Sequence, residues 1–201
     1  MGRILCILVC LFLASCYGTG KRGGDSALAI YDFGPPVQSR LLSAQRSELA
    51  VEVRAPLWFD SLGIEYRLLY EEPKRLRDYT RSRWAGPPAQ LVQQRLIQQL
   101  GLIPSGQART RCVLRVDIDE FIQLFDTPNT SIGVLKGRAQ LLDRSRTSLA
   151  AYDFRIDRPA ASADARGGVA ALTAAVDQLV IDLFNWEQQL KDSGKSAACV
   201  G

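Results

Sequence analysis

The sequence of 201 residues contains no histidine. Histidine is the commonest general base, the usual activator of serine and cysteine nucleophiles, and the commonest metal ligand. No glycine-rich loop followed by Lys-Ser or Lys-Thr marks a phosphate site. The acidic pair Asp117 and Asp119 stands beside Arg115 on the polar side of an alternating segment, which is typical of a solvated surface. We therefore predict a protein that is not an enzyme, with no catalytic residue, no metal and no cofactor.

The sequence also has no strong excess of either positive or negative charge. The formal net charge is +4, and 47% of the residues are hydrophobic and 23% charged, which is typical of a globular chain. The basic residues are scattered rather than gathered in a tail, so we expect no nucleic-acid partner. The length suits one compact domain with a core of its own.

The one long apolar run lies at the N-terminus, at residues 4–13, directly after Arg3. It is too short for a membrane-spanning helix, which needs about 20 apolar residues, and fits the apolar part of a signal peptide. The following Leu13-Ala14-Ser15-Cys16 resembles a bacterial lipobox, which implies cleavage before Cys16 and acyl chains on that cysteine. An ordinary signal peptide and a buried helix are the alternatives. Tyr17, rather than an aspartate, favours the outer membrane, facing the periplasm.

Cysteines are few once this segment is removed. Cys6 and Cys10 would leave with the signal and Cys16 would carry lipid, so only Cys112 and Cys199 remain. The periplasm is oxidising, and the pair could form a disulfide there. Alternatively, Cys112 packs as a small apolar residue and Cys199 lies in a frayed tail. The spacing does not decide between these two interpretations.

Hydrophobic periodicity predicts an α+β fold. Alternation with period two predicts strands at residues 48–54, 64–70, 112–119 and 152–157, with weaker candidates at 28–33 and 76–82. Pro87 and Pro88 suit the first turn of a helix that Gly101 can end, and a stripe of apolar residues at 169–190 predicts a second helix. Gly133, Gly137 and Ala139 lie on one face of the segment 132–142, where small residues would let a helix approach the sheet closely.

These elements predict a largely antiparallel sheet packed with two main helices in a single domain. The expected boundaries are a lipoprotein signal peptide at 1–15, the lipidated cysteine with a flexible glycine-rich tether at 16–27, the folded domain at 28–190 and a disordered tail at 191–201.

The densest polar constellation lies within residues 74–84, where arginines and a lysine alternate with Tyr79 and Trp84. It is interpreted either as a docking face for a partner or anionic headgroups, or as an exposed polar edge strand. Glu71, Glu72 and Asp78 dilute its charge, which favours the edge strand.

Three segments together suggest a family. Residues 76–88, Leu-Arg-Asp-Tyr-Thr-Arg-Ser-Arg-Trp-Ala-Gly-Pro-Pro, resemble the Tyr-x(n)-Arg-Trp-Ala-x-Pro signature of ABC-type transport auxiliary lipoproteins, the family that includes the paraquat-inducible protein C group. Residues 60–67 and 114–121 are similar to that family's Asp-Ser-x-x-Ile-x-Tyr-Arg segment and to its strand ending in Glu-Phe. Leu57-Trp58-Phe59 and Gly86 depart from the pattern.

The resemblance implies a non-catalytic, periplasm-facing accessory lipoprotein of an ABC transporter that moves lipids or other hydrophobic compounds across the envelope. Its partners would be a periplasmic protein of the mammalian-cell-entry type, a permease and an ATPase. Tyr79, Arg83 and Trp84 are the predicted residues that bind the partner. A homo-oligomer is left open.

Two other functions remain open from the sequence. One is a stand-alone outer-membrane lipoprotein that binds and regulates a cell-wall or envelope-assembly protein. The other is direct lipid carriage in an apolar groove between helix and sheet.

Overall fold

The computed structural model describes residues 27–36, 49–107 and 109–199. The predicted signal peptide, the lipidation site Cys16 and nearly all of the tether lie outside these residues. The described strands and helices form one packed unit, which contains the segments from which the fold class was predicted.

The sheet contains eight strands, and two α-helices pack against it within the described chain. The strands are β1 (Ala29–Tyr31), β2 (Leu49–Arg54), β3 (Gly63–Leu68), β4 (Arg77–Trp84), β5 (Ile103–Pro104), β6 (Cys112–Thr127), β7 (Thr130–Leu142) and β8 (Ser148–Pro159). The helices are α1 (Pro88–Leu100) and α2 (Ala165–Asp192), followed by a short 3-10 helix (Ala197–Cys199). The predicted α+β class is confirmed.

The sheet is a curled half-barrel that forks at β6. Strands β6, β7 and β8 form an antiparallel meander with most of the paired residues. On the other edge of β6, β2 pairs in parallel with residues 112–117, and β3 pairs in parallel with residues 123–125. One branch therefore runs from β2 to β5, and the other from β3 through β4 to β1.

Helix α1 begins and ends as its proline and glycine predict. Pro88 occupies the first turn, and Gly101 ends the helix with φ +63°, a left-handed conformation that glycine adopts without strain. Pro87 has no side chain that can cap the helix. The missing acceptor comes from the loop after β2, since the Ala89 amide donates to Asp60 Oδ1 at 3.1 Å.

Helix α2 covers the long strands. Its first turn is capped by Asp164, whose Oδ1 accepts from the Gly167 amide at 2.8 Å. The glycine prediction is correct at Gly133, because a Cβ there would lie 2.9 Å from both the Ala171 Cβ and the Leu172 amide nitrogen of α2. The helix is long and apolar enough to cross a bilayer, yet its apolar stripe is buried in the core. We therefore interpret it as a core helix.

The predicted disordered tail is wrong as far as Cys199. After α2 the chain turns and forms the 3-10 helix, and Ser196 and Cys199 are buried. Cys199 is joined by a disulfide to Cys112 at the start of β6, with Cα atoms 5.3 Å apart. The tail is held because a covalent bond and local backbone hydrogen bonds attach it to the domain, which its polar composition did not indicate.

Candidate docking surface

Tyr79, Arg83 and Trp84 do not form a common exposed surface. Trp84 is 1% exposed, and its ring packs against Phe33 and Phe121 with both centroids at 5.6 Å. Tyr79 is half-buried, while Arg83 is exposed. The prediction that Trp84 contacts a partner is therefore wrong, because the indole is core packing at the start of α1.

Tyr79 belongs to a buried polar network. Its hydroxyl donates to Gln123 Oε1 at 2.9 Å, and Gln123 Nε2 donates to Ser131 Oγ at 2.7 Å. Burial raises the pKa of the Tyr79 hydroxyl. Gln123 itself is fully buried, so Tyr79 satisfies a core amide rather than a partner.

Part of the basic run on and before β4 is neutralised within the chain, and the end of the strand is paired on both sides. Arg75 and Arg77 form ion pairs with Glu72 at 2.9 and 3.0 Å, and Arg77 also reaches Glu71 at 3.4 Å. Strand β4 is paired with β3 on one side and β1 on the other. On the β1 side only residues 82–84 are paired, so the edge-strand interpretation is wrong for these three residues. Residues 77–81 have no strand paired with them on that side within the described chain, which agrees with the edge-strand interpretation.

The segments that suggested a family meet in the structure and build the fold. Asp60 caps α1, the Trp84 amide donates to the Leu62 carbonyl at 2.8 Å, and the Phe121 ring contacts Trp84. Each segment thus supplies a structural contact to another. We infer that a docking surface has to be sought away from these inward-facing contacts.

A notch opens on the sheet at the point where β2 ends and β3 begins. It has a volume of about 390 Å³. Its walls come from the loop after β2, from β3 and from the middle of β6. The lining residues, here called the notch, are Trp58, Phe59, Glu65, Arg67, Leu69, Asp119, Glu120, Phe121, Ile122 and Leu124.

Alternation along β3 explains why charged groups line the notch. Ile64 faces the core and is fully buried, so Glu65 and Arg67 project from the opposite face. Burial raises the pKa of Glu65 to about 7; Arg67 opposes this shift and the Asp78 carboxylate adds to it. No hydrogen bond or ion pair reaches the Glu65 carboxylate from the described part of the chain.

The rim of the notch carries exposed apolar side chains, since Trp58 is 60% exposed and Leu69 37%. Leu57, which precedes Trp58 in the chain, is 95% exposed. Exposed aromatic and aliphatic side chains beside a cavity are typical of interaction sites. The sequence carried one signal of this surface, since Leu57-Trp58-Phe59 departs from the pattern of the resembling family, but the prediction did not use it.

Among residues 27–36, 49–107 and 109–199, no group of three or more acidic or cysteine side chains is arranged to hold a metal ion.

Comparison with known proteins identifies the family. A family model described as "ABC-type transport auxiliary lipoprotein component" matches residues 31–183. The chain belongs to this family. No curated protein sequence matches the chain.

Two solved structures share the fold. Protein XCC0632 from Xanthomonas campestris, of the family model DUF330, is 24% identical with a TM-score of 0.67, over 83% of this chain and 99% of that one. A second, uncharacterized protein is 16% identical with a TM-score of 0.60, over 78% of this chain and 96% of that one. At these identities the likeness establishes the fold alone.

Membership in the auxiliary lipoprotein family supports a transport accessory role in association with an ABC transport system. It also supports a membrane-anchored location in the cell envelope.

Proposed function

We propose that the chain is the periplasm-facing lipoprotein subunit of an ABC transport system of the mammalian-cell-entry type. In this role it would be anchored in the outer membrane through Cys16 and help to move lipids or other hydrophobic compounds across the envelope. The proposal rests on the match of the family model to residues 31–183, together with the lipobox that precedes this stretch of the chain. Several acyl chains on one cysteine make such an anchor effectively permanent.

The protein's own contribution would be mechanical. The chain has no histidine, the commonest general base, and the transport energy is assigned to the ATPase of the system. The folded domain offers a rigid sheet, closed on one face by two helices and by a disulfide. Such a body, joined to its anchor by a flexible tether, is suited to hold a periplasmic partner within reach of the membrane.

The experiment is co-purification of the tagged, full-length lipoprotein from detergent-solubilised membranes of its own organism. We expect a mammalian-cell-entry protein, a permease and an ATPase in the eluate, and the lipoprotein in the outer-membrane fraction of a sucrose gradient. Cys16→Ser is the matched control, because it removes the acylated thiol and should release the chain from the membranes.

Recovery of a peptidoglycan synthase in place of the transporter would favour the stand-alone regulator and contradict the proposal. A lipid bound to the purified chain would instead point to direct carriage. The space between the helices and the sheet is filled by buried side chains, which speaks against a carrier groove at that place.

A further inference from the structure

The floor of the notch is a stretch of β6 with one unpaired edge. The ladder between β2 and β6 ends at Asp117, and the ladder between β3 and β6 starts at Gln123. Residues 118–122 pair with no strand on this edge within the described chain. A free strand edge presents backbone donors and acceptors to an incoming extended chain.

The walls supply apolar contact. Trp58 is 60% exposed and lies against the buried Phe59, with ring centroids 5.0 Å apart. Ile122, only 5% exposed, lies deeper. A partner's apolar side chain that covers Trp58 would remove from water a large surface that the free protein leaves exposed.

The charge of the notch is negative. Glu65, Asp119 and Glu120 line it against a single basic group, Arg67. Glu120 lies 3.8 Å from Lys136, and Arg67 donates to the Lys74 carbonyl at 3.1 Å. The half-buried Glu65 carboxylate is thus left without a hydrogen-bonded counterion among the described residues, and a cation brought by a partner would stabilise it.

This charge decides between the available occupants. The phosphate of an anionic lipid headgroup would meet the Asp119 and Glu120 side chains beside Glu65 and be repelled, and an acyl chain brings no cation. A polypeptide can supply a cation, apolar side chains and an extended backbone together.

From these contacts we propose that the notch binds an extended polypeptide segment in which a lysine or arginine, flanked by apolar side chains, pairs with Glu65. The segment is assigned to the transporter's periplasmic partner, and this part of the inference rests on the proposed function.

The first test is photo-cross-linking in cells. The full-length chain carries p-benzoylphenylalanine in place of Leu69 at the rim of the notch, or in place of the exposed Arg144 in the β7–β8 turn as a control. We expect a covalent adduct only from position 69. Mass spectrometry of the adduct should find a partner segment with a basic residue next to apolar ones.

The second test reverses the charge. Glu65→Lys should lower recovery of the cross-linked partner at least about tenfold, and exchange of the partner's basic residue for glutamate should restore it. Asp126→Lys is the matched control, since it places the same charge change on an exposed carboxylate of β6 outside the notch. Trp58→Ala should weaken recovery severalfold without disturbing the buried core.

The outcomes separate this inference from the proposed function. An adduct with a basic-apolar segment of a protein outside any transporter supports the notch and contradicts the proposed function. Co-purification of a mammalian-cell-entry protein that persists in Glu65→Lys and Trp58→Ala supports the proposed function and overturns the notch. An adduct with lipid, with a second copy of the chain, or with nothing also overturns it.

Discussion

At the scale of single residues, Arg95 on α1 is a charged side chain that lies in the interior of the protein, where it is 2% exposed. Its Nη2 donates to the Phe33 carbonyl at 2.5 Å and to the Gly34 carbonyl at 3.1 Å. Its Nε lies 3.5 Å from the Asp177 carboxylate on α2. One side chain thus connects both helices to the segment that follows β1.

Arg95→Met is expected to lower the free energy of unfolding by about 2–4 kcal/mol, because it leaves two carbonyls and a carboxylate without their donor. Urea unfolding followed by circular dichroism measures the change. Gln94→Met, an exposed neighbour on the same helix, is the control and should stay within about 0.5 kcal/mol of the wild type. Equal stability of the two variants would contradict a structural role for the guanidinium.

The same scale explains why Tyr79 and Trp84, two of the three predicted partner-binding residues, face inward, whereas Arg83 is exposed and its role stays a prediction. Tyr79 and Trp84 both face the core although they are five positions apart, which a regular strand forbids. The pairing of β3 with β4 changes from Gly63 opposite Arg83 to Glu65 opposite Asp78, so β4 contains an irregularity that restores the inward direction. Hydrophobic alternation carries no signal for such an irregularity.

At the scale of elements, local signals were sufficient where the determining contact is local. Pro88 and Gly101 marked both ends of α1, and the apolar stripe marked α2. The role of the glycines in β7 was predicted only in part. Gly133 lets α2 approach the sheet closely. A Cβ on Gly137 would instead overlap the Asp117 carbonyl of β6 and the Phe154 ring. The second glycine therefore serves the sheet rather than the helix.

Gly133→Ala is expected to destabilise the protein by about 1–3 kcal/mol, because the added methyl group meets backbone and Cβ atoms of α2 at 2.9 Å. Thermal and urea unfolding measure the loss. Gly86→Ala is the control, since its methyl group would find only the Leu91 and Gln90 side chains, at 3.7 Å or more.

When Gly133→Ala is combined with Ala171→Gly, the Cβ of Ala171, one of the atoms that the added methyl group would meet, is removed. The double variant should lose less stability than the sum of the single losses. Strict additivity would mean that α2 does not rest on Gly133.

At the scale of the whole molecule, the fold class and the order of elements followed from periodicity, but the fork of the sheet did not. Both β2 and β3 lie on one edge of β6, and nothing in either segment specifies a partner more than 50 residues away along the chain. The notch exists only because these two strands leave residues 118–122 between them. A site formed by such nonlocal pairing lies beyond what residue patterns can predict.

The disulfide is the other feature that only the folded chain decides. Cys112 and Cys199, separated by 87 residues, tie the segment after α2 to the start of β6. Closing a loop of this length stabilises the native state by about 4 kcal/mol in the chain-entropy account. In a Cys16→Ser background, Cys112→Ser/Cys199→Ser should therefore unfold at markedly lower urea concentration. With dithiothreitol present, the parent protein should have the same urea midpoint as this variant. If dithiothreitol leaves the urea midpoint of the parent protein unchanged, the disulfide is excluded.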